Sequence, residues 1–511
     1  MARYKPYSYE QGQFIPVQFD RQILPDSFEY ALDYIVDNKM DLSIFIGRIK
    51  NDATGAPAYD PKILLKIVFY AYSRGITSSR DIEQACRENV MFMALSANTR
   101  PHFTTIADFI TTMGEGIKPL FLSVLMYCDQ LGLIGKEMFA IDGCKISSNA
   151  SKEWSGTKED FENKKRKYEE AITYLVEKHR KEDDRGVPSE ERGKEEKAKK
   201  KMEEKIEKIE EWLGTHDDKP GKQGKVKKSH MIDNESAKMV SSHGVVQGYN
   251  GVAAVDSKHQ IIVKAEAFGS GSEQETLKPM VDGVKETFKQ LGEDDIYRKA
   301  KLTADSGFHH ETNMKMLHDE GIDGYVADNQ FRKRDPRYIS AQRHKPEVKR
   351  PARKYYSPDD FKQDEQTDRL ICPAGMVLTV QSRNIRTRKG LYGTAYAAKA
   401  RDCRGCELRL KCLQNPATNR GRQVYKFGGT DEALKPKTFS GWMRERIDSV
   451  KGRFLYSRRM GIVEPVFANI CARLGLNRFT LRGKFKVDAQ WKMFAMVHNM
   501  FKIYRYGWGT G

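Results

Sequence analysis

Five short apolar runs, each closed by an acid, constrain the fold of this chain more than any other feature. They are MFAID ending at Asp142, YNGVAAVD at Asp256, QIIVKAE at Glu266, KLTAD at Asp305 and GYVAD at Asp328. Runs this short, bounded by turn residues, fit buried strands better than helices. SKH between the second and third marks a hairpin, while a helical stretch near 273–291 and the segment HHETNMKMLHDEG separate the later runs. The order strand, strand, strand, helix, strand, helix, strand predicts an α/β fold with one mixed sheet. The first run is read as a strand over 138–142 that stops at Asp142.

Residues 60–131 before the sheet read as a helical module. Asp60 and Pro61 supply a cap and a first-turn proline for ILLKIVFYAYSRG. Further helices are expected from Ser79 and from Thr104 or Thr105 towards Leu131, with a break at Gly114–Gly116. Such helices suit a helix-turn-helix reader of DNA or a packing and dimerisation domain. Two interruptions divide the sheet. Residues 158–213 are almost wholly charged with DDRGVPSE in the middle, predicting two long helices in a solvated hairpin, and KPGKQGKVKKSH leads back. The second, about 329–450, is rich in Arg, Lys and Pro. The predicted segments are 1–131, 132–157, 158–230, 231–328, 329–450 and 451–511.

Charge then narrows the partner. Against 70 Asp+Glu stand 88 Lys+Arg, a net +18 over 511 residues, which favours a polyanion. An apolar fraction of 39% supports real cores and excludes global disorder. No run approaches the ~18 apolar residues of a membrane span. The opening MARYKPYSYEQGQF lacks the apolar run of a secretion signal, so a cytosolic protein is expected. Eight cysteines are too few for a disulfide scaffold of this length and suit a reducing compartment.

Asp142 and Asp305 share a context, because each closes a strand and is followed by small residues, Gly143 or Ser306-Gly307. Carboxylates at strand ends can converge on one cleft and hold Mg²⁺, which takes oxygen ligands and keeps places for phosphate and water. A third acid, Glu464, lies in YSRRMGIVEPVFANI. Pro465 tolerates a first helical turn, so a helix is expected to start there with Glu464 at its entrance. Tyr456, Arg458 and Arg459 precede this acid, and Arg473, Arg478, Arg482, Lys484 and Lys486 follow. Acids between basic flanks suit metal-bound phosphate chemistry.

IDG at Asp142, TADSGF at Asp305, VQGYNGVAAVD, Y-x2-R-x4-E with VEPVF, and GLNRFTLRG together resemble the DDE-type transposases of bacterial insertion sequences. More narrowly they resemble the group with a Tyr-Arg-Glu-Lys signature around its third acid. The resemblance runs from about residue 55, where AYDPKILLKIVFYAYSRGITSSRDIE is similar to that group's DNA-binding domain, to His498-Asn499. It implies a ribonuclease-H-like catalytic domain in discontinuous segments, with Asp142, Asp305 and Glu464 holding two Mg²⁺ (or Mn²⁺) ions. Tyr456 and Arg459 become phosphate contacts. Double-stranded DNA, as transposon ends and target, is the implied partner, bound by at least a homodimer near the nucleoid. One position departs: seven residues after Glu464 the family has Lys or Arg, whereas this chain has Cys471, with Arg473 two residues on. A DNA-binding relic without turnover and a nuclease that cuts without joining strands are the competing readings.

Cys372, Cys403, Cys406 and Cys412 form C-x30-C-x2-C-x5-C within the second interruption. They have the ligand count of a structural Zn²⁺ site, with buried free thiols as the alternative. His243, His309 and His310 are candidate ligands or proton carriers that the resemblance does not require. The aromatic YRYGWG reads as a hydrophobic anchor rather than a base-stacking surface.

Overall fold

The structure, a computed structural model, describes residues 17–48, 57–184, 191–220, 226–241, 244–338, 355–364, 367–386, 392–427 and 438–507. His243, most of the DDRGVPSE break, part of KPGKQGK and the final WGTG lie outside the described residues. The chain forms two compact units: Gln330–Glu445, and everything on either side of it.

In the first unit, helices α1 (Phe28–Asn38), α2 (Pro61–Ser73), α3 (Ser79–Glu88), α4 (Val90–Leu95), α5 (Phe103–Thr111) and α6 (Ile117–Gln130) come first. Asp60 caps α2 by accepting from the Lys62 amide, with Pro61 in the first turn where its missing N–H costs nothing. Strand β1 (Met138–Ser147) follows, then the charged helices α7 (Lys158–Asp184) and α8 (Arg192–Thr215). These helices touch through a small cluster of Phe161, Ile209 and Trp212, and otherwise through ion pairs such as Lys165 with Glu210.

The sheet resumes with β2 (Ala237–Ser241), β3 (Gly244–Asp256) and β4 (Ile262–Phe268). After α9 (Leu277–Gln290) come β5 (Lys301–Ala304), α10 (Glu311–Asp319) and β6 (Asp323–Val326). The six strands run β6-β5-β1-β3, with β2 on the first half of β3 and β4 on the second. β5 and β6 are parallel to β1, whereas β3 is antiparallel to it. This is the mixed α/β sheet that the spacing of the acid-closed runs predicts.

One strand is longer than expected. β1 does not stop at Asp142 but continues to Ser147, because β3 pairs with it rung by rung from Phe139↔Asp256 to Ser147↔Gly248. Alternation along β1 divides its side chains: Phe139 meets Phe288 of α9 at 5.3 Å, and the other parity faces the helices that close the chain.

In the second unit β7 (Lys362–Asp364), β8 (Arg369–Ile371), β9 (Val377–Arg386), β10 (Tyr392–Ala398) and β11 (Gln423–Phe427) form an antiparallel five-stranded meander. Its core holds Phe361, Leu370, Leu378, Tyr396, Ala398 and Val424.

Back in the first unit, α11 (Val450–Ala468) leads through a π-turn at Asn469–Arg473 to α12 (Lys484–Tyr506). Pro465 does not start α11 but lies inside it, which overturns the expected helix entrance. Proline leaves the carbonyl four residues earlier without its helical donor. That carbonyl belongs to Gly461, and the Gln260 side-chain amide donates to it at 2.9 Å. α12 is buried on nearly every side and serves as a common spine. Tyr72 stacks on its Phe494 at 4.4 Å, and Phe28 on Phe501 at 4.0 Å. From the sheet side, the Val252 carbonyl accepts from Trp491 Nε1 at 3.0 Å. His498-Asn499 pins the hairpin: Asn499 exchanges both hydrogen bonds with the Ile262 backbone, and His498 meets the Gln260 carbonyl at 2.9 Å.

Candidate active site

The last parallel rung between β1 and β5 is Ile141↔Ala304. Asp142 and Asp305 are the next residues on each strand. Adjacent strands lie about 5 Å apart, so the register alone brings the two acids together. Asp142 is held by the Gly143 amide at 2.8 Å.

Arg459 on α11 joins the pair. Its Nη1 is 2.5 Å from Asp142 Oδ2 and its Nη2 is 3.3 Å from Asp305 Oδ1. The Tyr456 hydroxyl, one turn earlier, is also 3.3 Å from Asp305 Oδ1. Burial raises the Asp142 carboxyl above its ordinary range, and Arg459 and the Gly143 amide oppose that rise. Burial likewise works against the charge on Arg459, but the aspartates outweigh it and hold the guanidinium above its usual value. The Tyr456 hydroxyl is pushed up to about 12, by burial first and then by Asp305.

Glu464 is placed differently. It is exposed on α11. Five residues beyond Arg459, it sits roughly 140° round the helix from the side chain that reaches the aspartates. The position one turn after Arg459 is Val463, which is buried. Among the described residues, no hydrogen bond or ion pair links Glu464 to the pair.

Another acid stands near instead. Glu273 opens the turn before α9 and lies 3.8 Å from Lys145. Burial raises its carboxyl, Lys145 opposes this, and Asp142 and Asp305 raise it further. A Cβ at Gly307 would fall 1.7 Å from Glu273 Oε2, which accounts for the glycine two residues after Asp305. Neither periodicity nor spacing marks Glu273 in the sequence; the only signal is an acid-rich SEQE after a glycine-containing loop.

The flanking cations take varied places. Arg478 and Arg482 are exposed, yet each donates to the turn after β1, Arg478 to the Ser148 carbonyl at 3.0 Å and Arg482 to that of Asn149 at 2.7 Å. Lys484 at the start of α12 lies 3.5 Å from Glu266. Arg473 stacks over Phe501 at 4.6 Å and lines a cleft of about 810 Å³ with Arg74, Lys502 and Arg505. Cys471, at the position of the family's cation, meets Cys144 of β1 with 3.6 Å between sulfurs. His310 caps α10 at the Thr312 amide, and His309 meets the Val326 carbonyl at 3.2 Å.

Two adjacent carboxylates form a hard oxygen donor set that suits Mg²⁺ or Mn²⁺. Among the described residues, no group of three or more His, Cys, Asp or Glu side chains is placed to hold a metal, so the donor set has two carboxylates rather than three. Two families match. Residues 17–112 match Transposase domain (DUF772), and residues 371–504 match Transposase DDE domain. Both matches are to transposase families, and together they support a DDE transposase of an insertion sequence. The second match contains Tyr456, Arg459, Glu464 and the four clustered cysteines. Asp142 and Asp305 lie outside both matches and rest on the strand geometry. None of the curated proteins compared with the chain matches it. The transposase families imply DNA as the substrate, and no described helix is long and apolar enough to cross a membrane.

Proposed function

We propose that this protein is a DNA transposase that cuts phosphodiester bonds at the terminal inverted repeats of an insertion sequence and joins the freed 3′-hydroxyl ends to target DNA. The observation that carries the reading is the pair Asp142 and Asp305, one residue beyond the last shared rung of two parallel strands. The fold class proposed is ribonuclease-H-like; the order β4-β3-β1-β5-β6, in which β3 alone runs antiparallel to the other four strands, supports it.

Asp142 and Asp305 would hold the divalent cations, two Mg²⁺ or Mn²⁺ in the full reading, with Glu464 as third carboxylate by resemblance. When bound, such cations activate the attacking oxygen and stabilise the leaving one in an in-line displacement. Glu273 supplies a second reading for the third carboxylate, favoured by its closeness to the pair. Tyr456 and Arg459 orient the aspartates from α11. Arg473, Arg478, Arg482 and Lys484 are exposed cations suited to DNA phosphates, and a homodimer would bring two ends together.

The test is Mg²⁺-dependent cleavage of DNA carrying the element's ends. Wild type should cut and join, and Asp305→Asn should not cut. Equal cutting by both proteins overturns the reading. Cutting without joined product would make the protein a nuclease, and end binding without cutting would make it a relic.

A further inference from the structure

The second unit gathers four thiols around one small cavity. Cys372 ends the pairing of β8 and opens the tight turn into β9. Its carbonyl accepts from the Gly375 amide at 2.8 Å, Gly375 adopts φ +79°, and the Met376 amide donates to Cys372 Sγ at 3.2 Å. Cys403 lies in the short helix Ala400–Arg404, Cys406 just beyond it, and Cys412 closes the helical turn Arg409–Cys412. All four line a cavity of about 30 Å³, together with Leu378 and Arg422.

The thiols sit at the edge of the unit's apolar core, against which Cys372, Cys403 and Cys412 pack. The four cysteines are half-buried and free, unlike the fully buried Cys86 and Cys128 of the helical layer. Arg409 fixes the loop by donating to the carbonyls of Cys403, Pro416 and Thr418. The unit's apolar core is small, and a small core usually needs a covalent or metal staple.

We propose that Cys372, Cys403, Cys406 and Cys412 bind one structural Zn²⁺ ion. Four thiolates and one Zn²⁺ leave two negative charges, which Arg422 and the Met376 amide are placed to offset. Binding releases the four thiol protons to solvent, with no change of oxidation state. The sulfurs do not yet form a ligand cage among the described side chains, so ligation requires them to turn about their Cα–Cβ bonds onto the cavity.

The experiment uses the full chain, purified without chelator. Elemental analysis should find about one zinc per chain, lost in Cys412→Ser and retained in Cys86→Ser. Because Cys412→Ser can simply misfold, wild type carries two further readouts. Cobalt exchange should give the absorption of a tetrahedral tetrathiolate site, and the four cysteines should alkylate only after chelation. Zinc-free protein whose four thiols alkylate freely overturns the proposal. So does a cobalt spectrum without thiolate charge transfer, or iron with acid-labile sulfide in place of zinc.

Discussion

Asp142 and Asp305 are carried by strands, Glu464 by a helix, and the two supports treat a carboxylate differently. Parallel register leaves little freedom: once Ile141 pairs with Ala304, the next residues must be neighbours. A helix turns its side chains by about 100° per residue, so Glu464 faces away from the pair although Arg459, five positions earlier, bridges it. Strand-borne acids are therefore preset, whereas the helix-borne acid depends on the phase of α11 against the sheet.

The largest expected effects separate these acids by two readouts. Asp142→Asn and Asp305→Asn should each lower cleavage on the order of 10³-fold, about 4 kcal/mol of transition-state stabilisation, and abolish Mg²⁺ binding to free protein by calorimetry. Glu464→Gln should lower cleavage comparably while leaving Mg²⁺ binding to the free protein unchanged. Loss of that binding in Glu464→Gln would break the comparison. If instead Glu273→Gln loses both and Glu464→Gln neither, the third carboxylate passes to Glu273.

The same contrast explains what the sequence discloses. The strands that carry Asp142 and Asp305 are legible as short apolar runs closed by an acid, and the small residues that follow, with the family resemblance, pick these two acids out of five. The extension of β1 through Gly143-Cys144-Lys145 is not, since it depends on β3 pairing more than a hundred residues later. Pro465 misleads because its cost is met by Gln260, distant in sequence. The five-stranded meander of the second unit lies in a stretch whose basic composition masks alternation. Trp491 and His498 belong to a helix buried all round, which presents no amphipathic stripe.

His498 ties the two layers, since its ring also meets Asn469 just beyond α11 at 2.9 Å. Burial lowers its pKa from 6.5 to about 3, against the Gln260 carbonyl and with Lys502. The folded ring stays neutral where the unfolded one takes up a proton. This contribution is complete above pH 6.5 and is lost as pH falls towards 3. By pH 5 the loss is about 2 kcal/mol at 1.4 kcal/mol per unit. His498→Gln should flatten the fall in urea stability between pH 7.5 and 5 by that amount, and an unchanged slope would remove His498 as its source.

Arg459 sharpens the comparison from the helix side. Its guanidinium compensates the aspartates in the free protein, so a divalent cation must compete with it. Arg459→Met should tighten Mg²⁺ binding about tenfold, roughly 1.4 kcal/mol, while cleavage falls because Asp305 and Asp142 lose their partner on α11. Unchanged affinity would mean that Arg459 does not occupy the pair in solution.

The smallest effect should come from Pro465, where the phase of α11 is set. Alanine in a helix interior is favoured over proline by about 3 kcal/mol when the helix is otherwise regular. Here the Gly461 carbonyl already has a donor in Gln260, so a new amide at 465 replaces one hydrogen bond with another. Pro465→Ala should change stability by less than about 1 kcal/mol, the net worth of such a bond. A double-mutant cycle in urea tests the reason as well as the size. Gln260→Ala loses its contact with Lys502 in either background but should cost about 1 kcal/mol more beside Pro465 than beside alanine, because the carbonyl then has a helical donor. Equal costs in both backgrounds would show that Gln260 does not compensate the proline, and that the orientation of Glu464 is set elsewhere on the helix.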